Sequence, residues 1–113
     1  MSAAKYDINI EQNSDFIVTI TVTDGSTPID LTGYTLYSQI RETPSSAILA
    51  SFTTSIVNAA QGIFQMVLLA AVTKTLPSNI GALRYDVLMT KAGSQQRLIY
   101  GNANIRDAIT VVA

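Results

Sequence analysis

The sequence predicts an all-β sandwich of two antiparallel sheets, with seven or eight strands and one short helical turn. Three observations carry this. Apolar and polar residues alternate with period two along most of the chain, the pattern of half-buried strands. Turn-forming residues recur at a spacing of roughly 8–12 positions, as in sandwiches. Leu69 to Leu76 breaks the alternation and is the one stretch that suits a helix, so no long helical segment competes with the strands.

The elements follow in order. Tyr6, Ile8 and Ile10 alternate with Asp7, Asn9 and Glu11, which gives a first strand ahead of an Asn13-Ser14 turn. Phe16, Val18, Ile20 and Val22 then alternate with Ile17, Thr19, Thr21 and Thr23. Asp24-Gly25-Ser26 ends this strand, and Pro28 bars an immediate central strand because it donates no hydrogen bond. After a Thr32-Gly33 turn, Tyr34, Leu36, Ser38 and Ile40 share one face; Thr35, Tyr37, Gln39 and Arg41 share the other. A loop at Pro44-Ser45-Ser46 precedes a less regular strand from about Ile48 to Thr54, with Ile48, Ala50 and Phe52 facing inward. Asn58 to Gly62 turns the chain into a strand in which Phe64, Met66 and Leu68 alternate with Ile63, Gln65 and Val67.

Ala70, Ala71, Thr73 and Lys74 suit one or two helical turns, stopped by Pro77 and followed by turn residues Ser78-Asn79 and Gly81. Leu83, Tyr85, Val87 and Met89 next alternate with Arg84, Asp86, Leu88 and Thr90. An Ala92-Gly93-Ser94 hairpin turn leads to a strand from about Arg97 to Ile105, where Gly101 predicts a bulge or a close backbone approach. Ile109 to Val112 reads as a short final strand. Residues 1–113 thus form one domain, with 1–5 as an amino-terminal extension and 106–113 as a tail or last strand. The expected core joins Phe16, Ile20, Leu36, Phe52, Phe64, Met66, Tyr85 and Val87.

The totals narrow the function. The chain has 113 residues, 48% of them hydrophobic, enough for one core without staples. It has no cysteine and no histidine, which removes thiolate chemistry, the commonest general base and the commonest metal ligands. A net charge of −1 leaves no electrostatic footprint for nucleic acid or an anionic membrane. MSAAKYDINI lacks the apolar core of a secretory signal, and the longest apolar run, Met66 to Val72, is far shorter than a membrane span of ~20 residues. The expectation is a chain made in the cytoplasm with no membrane segment. Only 13% of residues are charged, against ~25% in ordinary soluble domains. A weakly charged surface resists association less and suits a protein packed against neighbours.

No catalytic constellation stands out. The carboxylates Asp7, Glu11, Asp15, Asp24, Asp30, Glu42, Asp86 and Asp107 mostly lie beside turns, where aspartate caps backbone amides. Asp24, Ser26 and Asp30, with Asp107 from elsewhere, are the nearest approach to a calcium loop, but the ligand spacing is incomplete. The six glycines stand singly and make no phosphate loop. Tyr34 and Tyr85 fall on apolar faces and read as core, with their hydroxyls on backbone partners. Tyr37 and Tyr100 fall on polar faces and are candidates for contact.

Tyr6, then PIDLTGY (Pro28 to Tyr34) and SQIR (Ser38 to Arg41), resemble the start of small immunoglobulin-like modules of tailed-phage structural proteins. AAVTKTLP (Ala70 to Pro77), RYDVLMT (Arg84 to Thr90) and RLIYGNANI (Arg97 to Ile105) are similar to their later part. The type includes the amino-terminal domain of baseplate upper proteins and stand-alone virion proteins. The likeness to immunoglobulins is architectural, since the Cys–Trp–Cys signature is absent. The resemblance implies a non-enzymatic virion component that needs no cofactor and is made in the host cytoplasm. Its partners would be other virion proteins and copies of itself. A tail, baseplate or fibre place is expected first and capsid decoration second. A host-surface carbohydrate-binding module is the rival of another class. The expected assembly surface is Tyr6, Ile8, Ile10, Tyr37, Tyr100, Ile109, Val111 and Val112, because apolar residues near chain ends pair internally or are covered by a neighbour.

Overall fold

The computed structural model describes residues 4–77 and 83–106, and within them the β-sandwich is present. Its organising unit is the hairpin of β10 (Leu83–Lys91) and β11 (Ser94–Arg106). Ala92 and Gly93 both take positive φ, 47° and 86°, so the two-residue turn twists with the strands it joins. Leu83, Tyr85, Val87 and Met89 are buried as their alternation requires. β6 (Thr35–Arg41) pairs antiparallel with β10, and β7 (Ile48–Ser51) pairs with β6. On the far side of β11 lie β1 (Ala4–Lys5) and β2 (Ile8–Glu11), giving the order β1/β2–β11–β10–β6–β7.

The second sheet is β3 (Phe16–Thr21), β9 (Ile63–Leu68) and β8 (Thr53–Asn58), in that spatial order. A ribbon of β4 (Thr23–Asp24) and β5 (Thr27–Pro28) folds back beside it. Phe52 is the corner at which the chain changes sheets. β7 before it belongs to the larger sheet, β8 after it to the smaller. Its N–H still donates to Ser38 O (2.9 Å), while Thr54 Oγ1 reaches Leu36 O (2.9 Å) across the gap. The Phe52 ring lies 5.9 Å from Phe16 and 6.2 Å from Tyr85, so one aromatic cluster joins both layers. The core around it includes Ile10, Leu31, Ile40, Phe64, Met66 and Val87, all fully buried. Burying each such side chain contributes about 1.5–3 kcal/mol. Ile48 departs from the alternation and is exposed: the ladder shifts register between Ile40 and Arg41, which turns the start of β7 outward.

One part of the architecture is not antiparallel. β1 and β2 run parallel to β11, each residue opposite the one 95 positions later in the chain. Parallel pairing needs a long crossover, and here the whole sandwich supplies it. Gly101 faces the gap between β1 and β2. A Cβ there would press on the Tyr6 carbonyl, 2.7 Å from its carbon, and lie 2.9 Å from Asp7 Oδ1. Close approach, one of two readings of this glycine, is therefore its reason. The bulge lies elsewhere, at Leu98, where Val87 pairs with Ile99 but Leu88 pairs with Arg97. Asp7 Oδ1 accepts the Asn102 N–H (2.9 Å), a side chain standing in for the main chain at the interruption.

A short helix, α1 (Ala70–Thr73), occupies the stretch where alternation fails. Asp15 Oδ1 caps its Ala70 N–H from across the domain (2.8 Å), Thr73 Oγ1 donates to Ser14 O (2.9 Å), and Gln12 Nε2 donates to Leu76 O (2.8 Å). The turn between β2 and β3 is thus fastened to α1. The turn at Ser78-Asn79 and Gly81 and the strand expected at Ile109 to Val112 lie outside the described residues.

Tyr85 carries a testable electrostatic consequence. Its ring is buried and its hydroxyl donates to the Tyr6 carbonyl oxygen. Burial, then the neighbouring Tyr6 and Asp7, push its hydroxyl well above the usual phenol range. The folded state therefore holds this proton more tightly than the unfolded chain, which releases it near pH ~10. The resulting stability is complete below that pH and is lost as pH rises through and beyond it. Tyr85→Phe should cost about 1 kcal/mol at neutral pH and flatten the alkaline fall in melting temperature. Equal alkaline slopes in the two proteins would contradict the assignment.

Candidate functional site

The outer face of the larger sheet is a lattice whose rows follow from the strand registers. One row runs Asn102, Arg84, Arg41; the next Lys5, Tyr100, Asp86, Gln39; the third Arg97, Leu88, Tyr37. Side chains on one sheet face alternate with those buried beneath, so the core positions of β6, β10 and β11 fix this set outward. Arg97 is the exception that the bulge explains. Without the extra residue at Leu98, the alternation from Ile99 would turn Arg97 inward. With it, Leu98 and Ile99 are both buried and Arg97 joins the outer face.

All the residues of these rows except Tyr37 line a groove of about 630 Å³. Lys5, Arg41, Arg84 and Arg97 line it, four of the chain's seven lysines and arginines, with Asp86 the one carboxylate in its wall. Asp86 is paired with Arg97, Oδ2 to Nε 3.3 Å, and the Arg97 guanidinium also lies 5.9 Å from the centre of the Tyr100 ring. Arg41 is spent on its own loop, with Nη1 on Ser46 O (3.1 Å) and Nη2 on Gln39 Oε1 (3.2 Å). Arg84 sits directly opposite Arg41, exposed, and like charges in that relation oppose each other.

The outer face of the smaller sheet is different in kind. β3, β8 and β9, six residues each, contain no charged residue. Ile17, Val67 and Thr53 form one row across it, and Thr19, Gln65 and Ser55 the next. Ile17 and Val57 are each 60% exposed.

The expected surface residues divide accordingly. Tyr37 and Tyr100 are exposed and share the groove face, on either side of β10. Tyr6 is exposed, while its N–H donates to Tyr100 O (2.8 Å). Ile8 and Ile10 are corrected: they are buried against the domain's own core, because β2 pairs with β11. Ile109, Val111 and Val112 lie outside the described residues. Asp30 makes a local turn, its Oδ1 accepting Thr32 N (2.9 Å) and Thr32 Oγ1 (2.6 Å); those two bonds hold its pKa below the usual carboxylate value. Reading the sequence missed the basic groove. Its signal was there in Arg41, Arg84 and Arg97, each beside a strand's apolar positions, but their convergence needs the strand order and the bulge.

Residues 2–106 match the family model described as LtfC-like, beta-sandwich domain. No curated protein matches the chain. The family is named otherwise than the baseplate type that the motifs resemble, and what the two share is the β-sandwich.

Proposed function

From the premise that the chain belongs to the LtfC-like beta-sandwich domain family, we propose that it is a non-enzymatic structural component of a tailed-phage particle. Its place is the tail, baseplate or fibre region, and its partners are other virion proteins and copies of itself. The family and the phage resemblance of PIDLTGY and RYDVLMT support the setting. The observation that carries the mechanism is the uncharged outer face of the smaller sheet, with Ile17 and Val57 prominent on it. Interface centres are depleted in charge, and such a face loses little on desolvation when a neighbour covers it. It also lacks the lysines and prolines by which free sheets usually resist association.

Ile17→Asp should leave the domain folded, because the side chain already faces solvent, and should strongly reduce its incorporation into particles. Quantifying the tagged protein in purified virions checks this. Incorporation at the unmodified level would reject this face as the assembly surface.

A further inference from the structure

We propose that the groove on the opposite side of the molecule binds a carboxylate-bearing polysaccharide. The two faces lie on either side of the core, so this inference stands apart from the assembly reading.

Charge comes first. A chain with a net charge of −1 places four cations and one carboxylate around a single groove. The groove region is therefore positive while the remainder is negative. Asp86 answers only Arg97, and Asp7 Oδ1 accepts the Asn102 N–H. Arg84 and Lys5 have no acidic partner among the described residues. An arginine held opposite another arginine on a sheet is a cost to the fold, and an anion placed between or beside them relieves it. Guanidinium groups suit carboxylate in particular, since their donors form a planar fork that meets both oxygens.

The remaining wall chemistry selects the carrier of the carboxylate. Tyr100 offers an exposed ring in the wall beside Arg97, and Tyr37, beyond the wall, exposes a second on the same sheet face across β10. Exposed aromatic rings stack on the C–H faces of sugar rings. Gln39 and Asn102 present amides that both donate and accept, which matches hydroxyls that do the same. An acidic peptide is served less well. β10 is flanked on both sides by β6 and β11, so its main-chain groups are consumed in ladders and a peptide across this face gains no added strand. A glycan makes no such demand.

The test titrates the intact protein with oligogalacturonate, using neutral dextran oligosaccharide and poly-glutamate as controls. Binding to oligogalacturonate should weaken with added salt, and dextran should not bind. The double variant Lys5→Gln/Arg84→Gln should raise the Kd about tenfold or more, through lost charge-assisted contacts. Both residues are exposed, so an unchanged melting temperature confirms the fold of the variant. Tyr100→Ala should weaken oligogalacturonate but not any residual poly-glutamate binding. Ile17→Asp should leave the titration unchanged, which separates this site from the assembly face. No binding of oligogalacturonate, or binding indifferent to the double variant, overturns the proposal. Poly-glutamate binding as tightly as oligogalacturonate also overturns it, in favour of an acidic protein partner.

Discussion

Replacing Phe64 with alanine should lower the unfolding free energy by about 3–5 kcal/mol, through lost burial plus the cavity left behind. The side chain is fully buried on β9, the middle strand of the smaller sheet, with Ile20 opposite on one side and Ile56 on the other. A middle strand cannot easily move to close the gap, since it is fastened along both edges. Domains of this size have only ~5–15 kcal/mol to lose, so the variant should unfold at much lower denaturant with a similar slope. Phe16, half-buried on the edge strand β3, should cost less when changed to alanine. A loss below about 1 kcal/mol for Phe64→Ala, measured by urea unfolding, would mean that the smaller sheet does not pack as described.

Gly101→Ala should be of similar severity for a different reason. The added methyl would meet the Tyr6 carbonyl, and both backbones are held in place, Tyr6 by Tyr100 O and by the Tyr85 hydroxyl. Overpacking of this kind costs about 1–3 kcal/mol and more where nothing yields. The expected outcome is loss of β1 and β2 from the edge of β11, seen as rapid amide exchange at residues 8–11 while the β10–β11 hairpin stays protected. Protection unchanged at residues 8–11 would count against the close approach as the role of this glycine.

Much of the fold was legible because its strands are half-buried and alternate cleanly. β3, β6, β9 and β10 all follow the pattern, and the four glycines Gly25, Gly33, Gly62 and Gly93 take positive φ at the turns they mark. The helical interruption was legible for the same reason, as a loss of alternation ahead of Pro77. Three features were not. The partner of the first strand is a matter of long-range pairing, and nothing in Tyr6 to Ile10 says that it lies parallel to β11. The corner at Phe52 looks like continued strand, because an inward residue at a sheet change is as apolar as one within a sheet. The bulge at Leu98 reads as an ordinary apolar pair, Leu98-Ile99, yet it decides which face Arg97 occupies. The groove depends on all the strand registers at once, so its four cations appear in sequence as unrelated polar-face residues. The uncharged face was visible in outline, since a chain of 13% charged residues must leave some surface without them.

The parallel ladder of β2 on β11 also sets an order of events in time. Ile8 and Ile10 have no partner until the residues near position 103 exist, 95 positions further on. At ribosomal rates of ~5–20 residues per second that interval is on the order of ten seconds. The β10–β11 hairpin, by contrast, closes between near neighbours, on a microsecond scale of ~1–10 μs. The amino-terminal strand must therefore wait, apolar and unpaired, for a template that arrives late in synthesis, and it docks only after the hairpin has formed. High contact order of this kind slows folding and makes the nascent amino terminus the segment most in need of chaperone cover. A bulky fusion placed directly before Ala4 would act at that step, delaying docking onto β11 and lowering the yield of folded protein during expression.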